Sequence, residues 1–260
     1  MILRLAVAAL VAFMTLPTLV VIAVSFNPTA ILSFPPAGLS LRWYVNVLTY
    51  PQFQRAAWNS VLVTAGAVAL AMPIGMAAAL ALARGRLRAP QLWATLLLSP
   101  LVVPGVAAGL GFLILGAGLG LLRSRAVLIA AHVALVLPFV VRSAWVSARN
   151  LDPALERAAA SLGATPWRVF RRVTLPLLRP GLLAALLFAV IVSLNEFVVS
   201  LFISTRLTEI LPVAMFTYVV NYTDPTIAAL SSLFILATIV VVWLADRFLD
   251  LGGVFIHHRQ

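Results

Sequence analysis

The 260-residue sequence contains no cysteine and no lysine, and carries only seven acidic side chains. Without cysteine there are no disulfides, thiolate nucleophiles or thiolate metal sites. Without lysine there is no G-x-x-x-x-G-K-[ST] phosphate loop, no Schiff-base chemistry and no lysine general base. Charged residues make up 10% of the chain, against about 25% in soluble domains, so an ordinary soluble domain is excluded. The three histidines do not rebuild a metal centre: His132 sits in an apolar stretch, and His257 and His258 fall in the last four residues. Structural or adventitious roles are expected for all three, and no metal site is assigned.

What the chain has instead is apolar length, with 63% hydrophobic residues. A membrane-spanning helix needs about 20 mostly apolar residues. Six windows qualify, at roughly 3–24, 58–83, 91–115, 126–146, 181–203 and 226–249. They are twice the length of a barrel strand and lack strict alternation. The fold class is therefore all-α: a polytopic membrane protein with six transmembrane helices in one domain, 1–260. The first window exceeds the apolar core of a signal peptide and no small-residue cleavage site follows promptly, so it reads as a retained span.

The formal charge of +11 is distributed unevenly. With six spans both termini share a side. That side holds Arg4, Arg84, Arg86, Arg88, the seven arginines from Arg142 to Arg179, Arg247 and Arg259, against five on the other: Arg42, Arg55, Arg123, Arg125 and Arg206. Enrichment of arginine on the cytoplasmic side predicts both termini cytoplasmic. The basic charge then reports topology and contact with anionic lipid, and requires no nucleic acid. Pro100 and Pro104 interrupt the third window, and Gly105 with Gly109 forms a G-x-x-x-G step, readable as helix packing or as a gating hinge.

The longest arginine-rich connection, 147–180, carries helix punctuation. Asp152-Pro153 is an N-cap followed by a first-turn proline, and Gly163 is placed for a left-handed cap. Leu155, Ala158, Ala159 and Leu162 fall at i, i+3, i+4 and i+7 on one face. Thr165-Pro166 starts a second short helix with Arg168, Arg171 and Arg172 on one side and Trp167 and Phe170 on another. From the residues alone this is an interfacial helix pair or a protein-docking element.

The stretch Glu156-Arg157-Ala158-Ala159-Ala160-Ser161-Leu162-Gly163, followed after nine residues by Val173-Thr174-Leu175-Pro176, resembles the EAA loop of the membrane subunits of ATP-binding-cassette importers. That pattern is E-A-A, three residues, G, nine residues, I-x-L-P. Arg157 stands where the pattern has glutamate, with Glu156 one residue earlier. The chain further resembles the polyamine (spermidine/putrescine) permease branch over Ser25-Phe-Asn27, Phe34 to Tyr44, Ser193-Leu-Asn-Glu-Phe-Val-Val-Ser200 and Leu211 to Tyr218.

The resemblance implies a type I importer permease in a bacterial cytoplasmic membrane. Its implied partners are a second permease subunit forming a heterodimer, two ATPase subunits and a periplasmic or lipid-anchored solute-binding protein. The chain itself would bind no cofactor and catalyse nothing; ATP and magnesium would be used by the partner ATPase. Leu155, Glu156, Arg157, Ala158, Ala159, Leu162 and Gly163 would form the ATPase-coupling surface.

For cargo, Glu196 stands out inside the fifth window, where a charged carboxylate costs at least about 2.5–3.5 kcal/mol unless paired or wet. On a continuous helix Ser193 and Ser200 share its face, with Asn195 beside it. Such a stripe suits a cationic amine; the alternative is a protonated carboxyl holding helices together. Tyr218, Tyr222 and Asp224, near the outer end of the sixth window, are candidates for contact with cargo or binding protein, or for interfacial anchors. Other cargoes of the same machinery, such as a phosphonate, an opine- or amino-acid-like solute or an inorganic ion, stay open, as more remotely does an ion-coupled secondary transporter.

Overall fold

The computed structural model describes residues 2–85, 88–122 and 124–249; Arg86, Arg123 and the His257-His258-Arg259-Gln260 tail lie outside the described residues. Among the described residues twelve α-helices follow in chain order: α1 (Ile2–Val24), α2 (Arg42–Thr49), α3 (Pro51–Ala83), α4 (Pro90–Leu98), α5 (Gly105–Gly118), α6 (Arg125–Arg149), α7 (Pro153–Ser161), α8 (Pro166–Val169), α9 (Leu175–Leu194), α10 (Val198–Ile203), α11 (Leu211–Asn221) and α12 (Thr226–Leu249). No strand occurs among the described residues.

Among the described residues four stretches are each long and apolar enough to cross a bilayer: Leu3–Val24, Pro51–Ala83, Arg125–Arg149 and Pro166–Leu194. The sixth window coincides with α12, of 24 residues, but its apolar part among the described residues, Thr226–Val240, is shorter than a span, so the expected six spans are met there by four, or five counting the bent third window. Two expected windows are not single straight helices. In the third, α4 tightens into a 3-10 turn at Ser99–Leu101 and the chain bends by 95° before α5. Pro104 is the cause: it offers no donor to the preceding turn and drives its neighbour out of the α region. The fifth starts far earlier than residue 181, because α8 runs through a π-helical turn, Phe170–Thr174, directly into α9. Pro176 lacks an N–H, and a wider turn just before it absorbs the missing bond.

The chain divides into two compact units, the described parts of 1–58 with 210–241 and of 59–209 with 242–260. In the first, Trp43 and Val47 of α2 pack with Phe53 and Ala56 of α3, Leu211, Ala214 and Tyr218 of α11, and Ala229 and Leu230 of α12. Trp43 Nε1 donates to the Asn27 carbonyl at 2.6 Å, and Ser25 Oγ lies 2.6 Å from the Tyr44 hydroxyl, so the segment after α1 is laced to α2.

In the second unit α6 is the central element. Ser124 caps it, accepting from Ala126 N at 3.0 Å. Leu128, His132, Val136, Val140 and Ala144 form one buried row at i+4 spacing, and Ala71, Ala185 and Ala189 pack against its Val136–Val140 part. Small residues on the neighbours let the helices close up. The G-x-x-x-G step acts in packing: a Cβ on Gly109 would lie 2.6 Å from Phe202 Cδ2, and one on Gly105 would lie 3.1 Å from Val198 Cγ1, so α10 rests on this face of α5.

Candidate functional site

The connection between α6 and α9 is built as its punctuation predicts. Asp152 Oδ1 accepts from Ala154 N at 2.8 Å, and Pro153 opens α7. Gly163 ends it with φ +82°, while Gly163 N donates to Ala160 O at 2.9 Å and Ala164 N to Ala159 O at 3.2 Å. This pair of bonds is a Schellman cap, which satisfies the last carbonyls and makes α7 a stiff, short rod. Thr165 caps α8, accepting from Arg168 N at 3.4 Å, and the Trp167 and Phe170 rings stack with centroids 5.5 Å apart.

The Glu156 side chain ties this rod to the end of α3 and to the π-helical turn. Glu156 forms an ion pair with Arg84, just past the end of α3, and its Oε1 accepts from buried Thr174 Oγ1 at 2.5 Å. A cavity of about 480 Å³, bordered by Leu80, Arg84, Arg149, Pro153, Glu156 and Thr174, lies at the same place. Glu156 and Ala159 therefore turn partly inward, while Ala154, Arg157, Ala158, Ser161 and Leu162 are exposed, Leu162 at 89%. Of the expected coupling face, Leu155, Ala158 and Leu162 are exposed and Ala159 is half-buried. Ala159 is the half-buried member of that face because it lies three residues on from Glu156, whose carboxylate is held by Arg84 and Thr174.

The candidate cargo stripe is also rearranged. α9 stops at Leu194, and Asn195, Glu196 and Phe197 form a break before α10. Across it, Ser193 and Ser200 do not share a face with Glu196. Both are buried on His132, whose Nδ1 lies 2.8 Å from Ser193 Oγ and whose Nε2 lies 3.0 Å from Ser200 Oγ. Thr64 Oγ1 of α3 completes the set, 2.8 Å from Ser193 Oγ. Glu196 is half-buried, and its Oε1 accepts from Val199 N at 2.7 Å as the cap of α10. Asn195 is exposed, with its amide turned back to Ile191 O at 2.8 Å. Asn195 is thus exposed and Glu196 half-buried, whereas Ser193 and Ser200 are buried clamp residues.

His132 has a structural role, as expected of it, whereas Thr64 was not among the candidate residues. Their signal was one polar residue in the buried i+4 row of α6 and another in the apolar run of α3. Asn59 is a third, with Nδ2 donating to Leu207 O and to Glu209 O at 3.0 Å each, while its Oδ1 accepts from Arg125 Nε at 2.8 Å. The segment it anchors carries Glu209, which at 6% exposure is more buried than Glu196.

In the first unit, Tyr218 is a core residue, 5% exposed and in ring contact with Tyr50, Phe53 and Tyr222. Its hydroxyl donates to Asp224 Oδ2 at 2.9 Å, and Asp224 Oδ1 accepts from Thr226 N at 2.8 Å at the start of α12. Burial, seconded by the Asp224 carboxylate, pushes the Tyr218 phenol up to about 12, so it stays a donor at neutral pH. Tyr222 is the exposed aromatic of this group.

Residues 3–250 match the family described as "Binding-protein-dependent transport system inner membrane component". The putrescine transport system permease protein PotI of Escherichia coli K12 is 33% identical over 240 residues, covering 90% of this chain and 85% of PotI. The molybdenum transport system permease protein ModB of Mycobacterium bovis is 34% identical over 216 residues, covering 77% of this chain and 82% of ModB. A solved bacterial alginate ABC transporter, in complex with an alginate pentasaccharide-bound periplasmic protein, contains a chain with the same fold. The TM-score is 0.73 at 16% identity, covering 94% of this chain and 93% of that one.

Proposed function

Because the chain belongs to the family of inner-membrane components of binding-protein-dependent transport systems, we propose that it moves a small organic cation of the polyamine type through a membrane complex driven by a partner ATPase. The chain is an ABC-importer permease, a transport subunit and not an enzyme. The cation reading is supported by the likeness to PotI over 90% of the chain. It is supported too by Glu196 and Asn195, which offer a carboxylate and an amide at a break in an otherwise apolar helix.

The observation that carries the mechanism is the capped α7 rod joined to the bundle through Glu156. A second permease subunit, two ATPase subunits and a solute-binding protein complete the machine. ATP and magnesium are used by the ATPase, and no cofactor is held by this chain. Closure of the ATPase pair on ATP moves α7 as a lever. Its pull reaches α3 through Arg84 and α9 through Thr174, favouring one of two bundle arrangements over the other. The Arg84–Glu156 ion pair sets the α3–α4 turn and the α6–α9 connection on one side, as expected if both are cytoplasmic along with the two termini. Tyr222 and Asp224 are the candidate contacts for the binding protein.

Reconstituting the complex in proteoliposomes with its binding protein tests the reading. ATP-dependent uptake of putrescine or spermidine is the expected result. The likeness to ModB favours an oxyanion as the second reading; uptake of molybdate with no polyamine uptake would establish it and overturn the first.

A further inference from the structure

We infer that the groove between α6 and α9, at their ends nearest α7, binds an anionic phospholipid with its phosphate on Arg142 and an acyl chain over Phe139 and Phe188. This rests on α6 and α9 crossing the membrane and not on the choice of cargo.

Arg142 lies seven positions before Arg149, the last residue of α6, which places it about 10 Å in from the helix end. It stands within a stretch long and apolar enough to span a bilayer, and it is exposed. Among the described residues its guanidinium has no ion pair or hydrogen bond. An arginine facing hydrocarbon is strongly unfavourable unless its side chain reaches the interface or a counter-charge comes to it.

The same arginine borders a cavity of about 490 Å³ walled by both helices, and no acidic side chain of the described residues lines it. The lining changes character along α6. Towards α7 it offers Ser143 and Ser147, where the α9 backbone comes so close that a Cβ on Gly181 would lie 2.6 Å from Ser147 Cβ. Deeper in, it is Ala184 with the Phe139 and Phe188 rings, stacked with centroids 6.4 Å apart. A polar, cationic outer end and an apolar inner end match a lipid lying along α6 with its head outward. A partner helix could cover the rings, but to neutralise Arg142 it would have to bring a carboxylate to the same depth, which is itself unfavourable. A phospholipid already carries its phosphate near this level, and the phosphate can take two parallel hydrogen bonds from a guanidinium.

The test uses the complete complex of this chain, its permease partner and the ATPase, equilibrated with equal amounts of dioleoylphosphatidylglycerol and dioleoylphosphatidylcholine. Retained lipid is counted by native mass spectrometry. The wild type should retain the phosphatidylglycerol in preference. Arg142→Gln should lower that retention by on the order of 5-fold, and Arg142→Lys should keep most of it. Ala184→Phe, which fills the apolar end and leaves the charge, should lower it as well. On the wild-type complex, a diazirine-bearing phosphatidylglycerol should crosslink within residues 139–147 or 180–188. Undiminished retention in Arg142→Gln or Ala184→Phe overturns the inference, as does a crosslink map lacking both segments. Loss of the permease partner from Arg142→Gln with lipid retention unchanged makes the groove a subunit contact and also overturns it.

Discussion

The imidazole of His132 lies 2.8 Å from the Ser193 hydroxyl in the last turn of α9, and its other nitrogen lies 3.0 Å from Ser200 in α10. One buried side chain therefore holds both sides of a helix break. A neutral imidazole has one donor and one acceptor nitrogen, and each serine can take either role, so the set is fully satisfied. His132→Ala should leave buried hydroxyls short of a partner and cost about 1–3 kcal/mol. The measurement is the Tm of the detergent-solubilised protein, with His132→Gln recovering part of the loss. An unchanged Tm in His132→Ala would mean the break is held by other contacts.

Gly163 is required for its backbone and not for space. Its φ of +82° is left-handed, and a Cβ there would meet nothing within 4 Å. Gly163→Leu should therefore cost about 1–2 kcal/mol of local strain and loosen the Schellman cap of α7. ATPase association or coupled uptake should fall in reconstituted complex. Gly163→Asn should retain more of both, because asparagine tolerates this conformation. Equal behaviour of Leu and Gly at this position would sink the lever.

Gly109 is the opposite case, required for space. A Cβ there would stand 2.6 Å from Phe202 Cδ2. Gly109→Val should overpack the α5–α10 contact by about 1–3 kcal/mol. Adding Phe202→Leu should restore part of the stability. A thermal-stability double-mutant cycle reads this coupling directly, and additive losses would exclude the contact.

Glu196→Gln keeps an oxygen to accept from Val199 N and removes the charge. With the cap retained, Tm and complex assembly should be unchanged. ATP-dependent uptake of putrescine should fall by on the order of 10-fold, the loss of one charge-assisted contact. Uptake equal to wild type would remove Glu196 from the pathway.

Local features carried most of the architecture. Asp152-Pro153, Gly163 and Thr165-Pro166 each specify a cap through bonds made within a few residues, and each appears where the sequence places it. The apolar windows of α1, α3 and α6 are likewise legible, because a spanning helix requires only length and composition. The break after Leu194 was not legible. Neither glycine nor proline interrupts residues 194–198, so nothing local opposes a continuous helix. The break is held by Glu196 capping α10 and by His132, 61 residues before Ser193, gripping both ends.

The sequence by itself determined long apolar helices and a short, capped rod between α6 and α9, since hydropathy and cap chemistry act over short ranges, and its EAA-like stretch marked the permease family by resemblance. Only the tertiary structure decided which side of that rod is free. Helical periodicity marks Leu155, Ala158, Ala159 and Leu162 as a face but cannot say which way it points. The ion pair from Arg84 to Glu156, spanning 72 positions, sets that rotation and leaves Arg157 outward.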